Sequence, residues 1–178
     1  MATASVLESS ESLRVYTPDH AVKDSCIGLV KTFDLVFLEM SEEPRDVFKL
    51  SRDWLSVQEV VDAVSSSTCG AISVFIGTTR EDEVEGRKVV GLEYEAYELM
   101  AQSEFTRLCA EVRARWPTVT HVCVHHRLGW VKVGEASVAM AISSPHRHDS
   151  QQAIQHSISR LKASIPIWKK DHSGLLIR

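Results

Sequence analysis

Two lysines near the carboxyl end of the chain have the spacing that acid–base chemistry requires. Lys162 follows Ile154 and Ile158 at intervals of four, so the three residues share one face of a predicted helix. Lys169 comes seven residues later, beyond Pro166, which ends the helix because proline disfavours helical geometry in the preceding residue. The chain can therefore turn back and bring the two ammonium groups together. Each would then lower the pKa of the other, and an amine tuned in this way can move protons near neutral pH.

These lysines also have a structural interpretation. Lys162 can lay its stem along the apolar face and place its charge in the last helical turn, where a cation stabilises the helix dipole. Lys169 and Lys170 can form a solvated basic surface. The charge distribution nevertheless indicates an anion site, because residues 146–178 hold six Lys and Arg against two carboxylates while the whole chain has a net charge of −4.

Two further segments are candidate anion sites. His146 and Arg147 lie between a predicted strand and a predicted helix with Asp149 as its N-cap, where backbone N–H groups attract phosphate or carboxylate. The arginine adds a bidentate fork for the same group. The segment Gly77-Thr78-Thr79-Arg80 takes a predicted strand into a hydroxyl-bearing turn that ends in a guanidinium. The structural alternatives are an Arg147 paired with a neighbouring carboxylate and a plain hairpin entrance at 77–80.

The remaining reactive side chains indicate neither a metal nor a cysteine nucleophile. The chain has four cysteines, all irregularly spaced: Cys26, Cys69, Cys109 and Cys123. The last three fall in apolar patterns, where a free cysteine is usually a small buried hydrophobe. His121 and His125 share one face of a predicted strand while His126 points to the other, without a nearby carboxylate. We therefore expect no metal ion and no cysteine nucleophile.

The elements that must position these groups follow from hydrophobic periodicity. Ser56-Val57-Gln58-Glu59 is a capping box that starts a helix. The predicted elements are a helix at 57–64, a buried strand at 69–79, a strand at 88–97 forming a hairpin with it, a helix at 98–116, strands at 119–128 and 136–143 around a turn region at 129–134, and a helix at 149–163. Helices interspersed with hairpins predict the α+β class, with an antiparallel or mixed sheet.

Length and composition place these elements in one domain. Residues 46–178 form the predicted domain, and residues 1–45 form an N-terminal extension that lacks a sustained apolar period and is expected to be poorly ordered. The apolar runs are too short to span a bilayer, and the first residues do not resemble a secretory signal. We therefore expect a cytosolic protein.

Several segments occur together in an order that is specific for one family. They are CGAISVFIGTTR (69–80), LEYEAY (92–97), RWP (115–117), HRLG (126–129), SPHR (144–147), LK (161–162) and WKK (168–170). In this combination, over roughly residues 46–171, the chain resembles the catalytic (large) subunit of molybdopterin synthase. The resemblance implies a fold of the α/β-hammerhead type within the α+β class.

The resemblance also implies a reaction. The family converts cyclic pyranopterin monophosphate into molybdopterin, in molybdenum cofactor biosynthesis, by installing two dithiolene sulfurs. The sulfur arrives as a thiocarboxylate on the C-terminal Gly of a small ubiquitin-like subunit ending in Gly-Gly, so no cofactor is implied. Large subunits form a homodimer within a heterotetramer, and some pockets draw residues from the neighbouring large subunit.

Site residues follow from the resemblance by position. Lys162 and Lys169 match the two active-site lysines. The implied substrate-binding residues are Thr78, Thr79, Arg80, His146, Arg147, Lys170 and Asp171.

Two departures leave a second function open. Pro145 stands where the family usually has Ala, and the chain ends at Arg178 without the further Trp-containing segment common in the family. The alternative is a truncated, non-catalytic subunit that only docks the ubiquitin-like partner. A third possibility, an unrelated enzyme that binds a phosphorylated metabolite, needs the basic site alone.

Overall fold

The computed structural model describes residues 42–84 and 86–170, together with the backbone of residues 176 and 177. Most of the predicted N-terminal extension, and Asp171, lie outside the described residues. In the described part the helices are α1 (Val57–Val64), α2 (Glu98–Arg115) and α3 (Arg147–Ser164). The strands are β1 (Asp46–Ser51), β2 (Ala71–Thr78), β3 (Glu83–Val84), β4 (Arg87–Lys88), β5 (Gly91–Ala96), β6 (His121–Arg127), β7 (Gly129–Lys132), β8 (Ala136–Ser144), β9 (Ile167–Lys170) and β10 (Leu176–Ile177).

Two four-stranded sheets organise the described residues. The first has the order β1-β6-β8-β2, with β1 parallel to β6 and the other pairs antiparallel. The second has the order β10-β9-β5-β7 and is antiparallel throughout, while β3 and β4 form a small separate hairpin. This arrangement of helices with a mixed and an antiparallel sheet confirms the predicted α+β class.

The core lies on both faces of the first sheet. On one face, α2 and α3 cover the sheet through a cluster around Phe105, Met140 and Ile142, all at most 1% exposed. On the other face, the short α1 packs Val60 and Val64 against β6 and β8. Because α1 has only eight residues, it does not cover β2 at the edge of the sheet.

Strand β2 is therefore an edge strand and not the fully buried strand expected from its apolar sequence. Ile72, Val74 and Ile76 point to the face that α1 leaves open, and they are 37%, 43% and 43% exposed. An apolar run does not distinguish a buried strand from one whose open face awaits another surface. Such a stripe on a sheet edge is typical of a protein–protein contact.

The pairing of three segments differs from the sequence prediction. The predicted hairpin between 69–79 and 88–97 is wrong, because β2 and β5 belong to different sheets. Residues 129–132, expected in a turn region, form β7 against β5. Strand β1 was not predicted, since its six residues lack a regular alternation of apolar and polar types. Pairing between distant segments depends on long-range packing that local patterns do not specify.

Helix boundaries follow local capping, with two corrections. Helix α1 begins as predicted, with the Ser56 hydroxyl accepting a hydrogen bond from the Glu59 N–H at 3.2 Å. The Glu59 carboxylate does not complete the capping box but binds Lys49 Nζ at 2.7 Å. Helix α3 begins at Arg147, before the predicted Asp149 N-cap, and its N-cap residue is His146. The Ser144 hydroxyl accepts the Ser150 N–H in its first turn at 3.1 Å.

Candidate functional site

Lys169 occupies a half-buried position on β9, directly after the chain leaves α3. The helix ends at Ser164, and Ile165 has extended backbone angles, as the following Pro166 requires. Strand β9 then pairs with β5, and Lys169 lies opposite Tyr94. The sequence prediction of a proline-induced exit from the helix is thereby confirmed.

Three positive charges meet at Lys169. Burial lowers the pKa of Lys169, and the nearby charges of Lys162 and Arg80 lower it further, while Asp82 acts in the opposite direction. Lys162 itself is exposed in the last turn of α3. The charges of Lys162 and Arg80 therefore both act on the Lys169 ammonium, and an amine in this setting is suited to proton transfer or to holding a developing anion.

A distortion at the end of β2 precedes Arg80 in the chain. The register of β2 against β8 shifts between Gly77 and Thr78. A side chain at Gly77 would lie 2.7 Å from a Val138 methyl carbon, so the bulge requires glycine there. Thr78 is exposed, whereas Thr79 is 2% exposed and held by backbone hydrogen bonds from its N–H to Glu135 (3.0 Å) and from Gly134 to its carbonyl (2.7 Å).

Arg80 is 82% exposed and is held by an acidic neighbour. Its Nε donates to Asp82 Oδ1 at 3.0 Å and to Oδ2 at 2.8 Å. The position of Asp82 is fixed in turn by its carbonyl, which accepts the Val89 N–H at 2.8 Å. The guanidinium therefore already has a carboxylate in contact with it.

Lys170 points to the opposite face of β9 from Lys169, since neighbouring side chains on a strand alternate. Its Nζ binds Glu95 Oε2 at 3.1 Å, and the same oxygen accepts the Trp168 indole N–H at 2.9 Å. Both hydrogen bonds lower the pKa of Glu95. The role of this face is to hold β9 against β5, which in turn fixes the direction of Lys169.

His146 and Arg147 are not part of this cluster within one chain. Both are exposed at the start of α3, whereas Lys162 lies in its last turn. Fifteen residues of α-helix separate Arg147 from Lys162 by about 22 Å. The predicted phosphate-binding pair and the lysines therefore lie at opposite ends of the same helix.

Sequence reasoning missed three residues of the site. They are Asp82, which binds Arg80, Glu95, which binds Lys170, and Tyr94, whose ring contacts His126 edge-on with the ring centroids 5.2 Å apart. The alternation in the segment LEYEAY carried part of the signal, because it predicts that Tyr94 and Glu95 face opposite sides of their strand. The register of β5 with β9, which local patterns do not give, decides which of these two faces Lys169 shares.

The other candidate groups are structural. Burial raises the pKa of the Cys109 thiol, and it raises that of Cys123 to about 12, as expected of cysteines packed in the core. Within the described residues, no group of three or more His, Cys, Asp or Glu is placed to hold a metal ion. No helix among them is both long and apolar enough to cross a membrane.

Comparison with known sequences identifies the class of protein to which this fold and site belong. Residues 50–164 match the family described as MoaE protein. The chain is 53% identical over 133 residues to the molybdopterin synthase catalytic subunit of Taeniopygia guttata, which covers 75% of this chain and 85% of the relative. It is 50% identical over 133 residues to the human protein of the same name, covering 75% of this chain and 70% of that one.

Solved structures agree with the sequence comparison. The crystal structure of molybdopterin synthase from Staphylococcus aureus superposes with a TM-score of 0.65 at 33% identity, covering 70% of this chain and 89% of that chain. A molybdopterin biosynthesis MoaE protein from Burkholderia ambifaria gives the same TM-score at 26% identity, covering 74% and 88%. The chain therefore belongs to the MoaE family, and the resemblance inferred from its motifs is confirmed.

Proposed function

We propose that this chain is the catalytic subunit of a molybdopterin synthase and transfers sulfur to cyclic pyranopterin monophosphate. The observation that carries this proposal is the half-buried Lys169, whose pKa is lowered by burial and by the charges of Lys162 and Arg80. A cluster of cations around a tuned amine suits a phosphorylated substrate and a reaction that moves protons. The names of the relatives, all catalytic subunits of molybdopterin synthase, agree with this assignment.

The sulfur comes from outside the chain in this proposal. Cys109 and Cys123 are buried with raised thiol pKa values, so neither is suited to act as the sulfur nucleophile. A small ubiquitin-like subunit with a thiocarboxylated C-terminal Gly supplies the sulfur, in the cytosol and without a further cofactor. Its terminal thiocarboxylate is an anion, as is the pterin phosphate, and the cationic cluster attracts both. Lys162 and Lys169 transfer protons and stabilise the charge of the intermediates.

The test is molybdopterin formation from cyclic pyranopterin monophosphate with thiocarboxylated small subunit. Lys169→Ala and Lys162→Ala should each abolish product while leaving the unfolding midpoint close to that of the wild type. Lys49→Ala is the control, because Lys49 is exposed on β1 of the other sheet, where its Nζ binds Glu59 on α1. Normal turnover by either cluster variant would remove that lysine from the mechanism. Partner binding without turnover by the wild type would instead support the non-catalytic docking subunit.

A homodimer would complete the site. Strand β2 leads from the neighbourhood of His146 to Arg80: its first residue pairs with Ser144, and its last lies two residues before Arg80. Its length, about 24 Å, is similar to the separation of about 22 Å along α3. If two copies pack antiparallel across the exposed stripe of β2, the start of one strand lies beside the end of the other. His146 and Arg147 of one copy then approach the lysine cluster of the second.

Mixing two inactive variants tests this shared site. Lys169→Ala and Arg147→Ala should each be inactive alone when the site draws on both copies. After the two are unfolded together and refolded, half of the dimers contain one of each, and each of these has one intact site. Activity should return to roughly a quarter of the wild-type value for a two-fold symmetric dimer. No recovery from a mixture shown to contain mixed dimers would refute the shared site.

A further inference from the structure

The loop after β2 carries a carboxylate that neutralises the site's own arginine. Asp82 accepts hydrogen bonds from Arg80 Nε through both of its oxygens, at 3.0 and 2.8 Å. The loop backbone holds Asp82 in place, because its carbonyl accepts the Val89 N–H at 2.8 Å. The pair is solvent-accessible, with the side chains of Arg80 and Asp82 82% and 49% exposed.

The location of this pair gives it a consequence for ligand binding. The charges of Arg80 and Asp82 both act on the Lys169 ammonium, so the pair lies within electrostatic reach of that lysine. Asp82 occupies the Nε–H of Arg80, so a phosphate or carboxylate that binds the guanidinium through its Nε side competes with Asp82 for that donor. It also experiences repulsion from a carboxylate within the cationic cluster.

We propose that Asp82 is a built-in competitor of the substrate phosphate for the Nε side of the Arg80 guanidinium. This inference rests on the proposed function, since it assumes that Arg80 contacts the anionic substrate. Asp82 then sets the affinity of the site: it weakens the binding of phosphorylated substrate and product alike. Uniform weakening of this kind raises KM and speeds product release without changing the chemical step.

The neighbouring residue provides a matched control. Glu81 is also exposed, but its carboxylate binds Lys88 Nζ at 2.8 Å and makes no contact with Arg80. Glu81→Gln and Asp82→Asn remove the same charge from adjacent positions of one loop. Any general effect of net charge therefore appears in both variants, and only a specific effect on Arg80 distinguishes them.

The experiment is calorimetric titration of the full chain with cyclic pyranopterin monophosphate. An exposed ion pair contributes little, so Asp82→Asn should tighten binding by about two- to fivefold, whereas Glu81→Gln should bind as the wild type does. In turnover with thiocarboxylated partner, Asp82→Asn should lower KM and leave kcat unchanged or reduced. Asp82→Ser, which also lacks the charge, should behave in the same way and guards against a folding defect in one variant.

A double-mutant cycle locates the effect at Arg80. In an Arg80→Gln background, the further change Asp82→Asn should no longer tighten binding. Binding by the wild type with no difference between Asp82→Asn and Glu81→Gln would overturn the competitor role and leave the proposed function intact. If Asp82→Asn tightened binding equally with and without Arg80, Asp82 would act on the ligand by charge repulsion alone. That result would also overturn the competitor role. No binding by any form of the chain would refute the phosphate site itself.

Discussion

Acidification should destabilise this protein through one buried histidine that joins its two sheets. His126 lies on β6 of the first sheet and is 5% exposed, and its ring contacts Tyr94 of the second sheet. Its Nδ1 donates to the Arg127 carbonyl at 2.9 Å, because a carbonyl only accepts. Burial lowers the pKa of His126 from 6.5 to about 4, although this hydrogen bond acts in the opposite direction.

The sign and size of the effect follow from the two pKa values of His126. Below pH 6.5 the unfolded chain binds a proton at this residue that the folded chain does not bind until about pH 4, so the free energy of unfolding falls as the pH falls. A difference of about 2.5 units, at about 1.36 kcal/mol each, limits the loss to about 3.4 kcal/mol. Between about pH 7 and about pH 5 the same relation gives a loss of about 1.8 kcal/mol.

Urea unfolding at these two pH values measures the loss, and His126→Asn isolates the contribution of the imidazole. The variant keeps a donor but does not titrate, so its pH-dependent loss should be smaller than that of the wild type by about 1.8 kcal/mol. Burial also lowers the pKa values of His121 and His125, and they add to the loss in both proteins. His148→Asn, which removes an exposed imidazole, is the control. An equal pH dependence in His126→Asn and wild type would refute the reasoning.

Three further predictions concern the site, the exposed edge and a helix cap. Lys162→Gln removes a cation that lowers the pKa of Lys169, so an NMR titration should show a higher pKa for Lys169 in the variant. An unchanged pKa would show that the charge of Lys162 does not act on Lys169. Val74→Glu places a charge in the exposed stripe of β2 and should give a monomer in analytical ultracentrifugation, whereas Leu99→Glu, at an 80% exposed position elsewhere, should not. Ser56→Ala should lower the free energy of unfolding by about 1 kcal/mol and Ser56→Gly by a few tenths, and equal losses would contradict the cap.

Local patterns predicted the helices well, because their signals lie within a few residues of each other. The helix at 98–116 was expected from its apolar spacing and its closing proline, and α2 runs from Glu98 to Arg115. The exit from α3 followed from Pro166 alone. The start of α3 was misplaced by two residues, because its N-cap residue is His146, which makes no side-chain capping hydrogen bond and gave no local signal.

Strand pairing was predicted less well, because it joins residues far apart in the sequence. The proximity of 69–79 and 88–97 along the chain favoured a hairpin, yet β2 pairs with β8 and β5 pairs with β7 and β9. The apolar run of β2 correctly predicted a strand. Its position at an edge depended on its pairing with β8 alone, which a local pattern does not specify.

The sequence by itself determined which groups can react and where the chain must bend: lysines at 162 and 169, a proline between them, and an arginine after a glycine that permits a bulge. Only the tertiary structure decided which of these groups meet. The register of β9 against β5 turns Lys170 toward Glu95 and places Lys169 on the other face of the strand, while the length of α3 separates Arg147 from Lys162. The physical reason is that spacing along a chain sets the face on which a side chain lies, whereas distance through space depends on how separate elements pack.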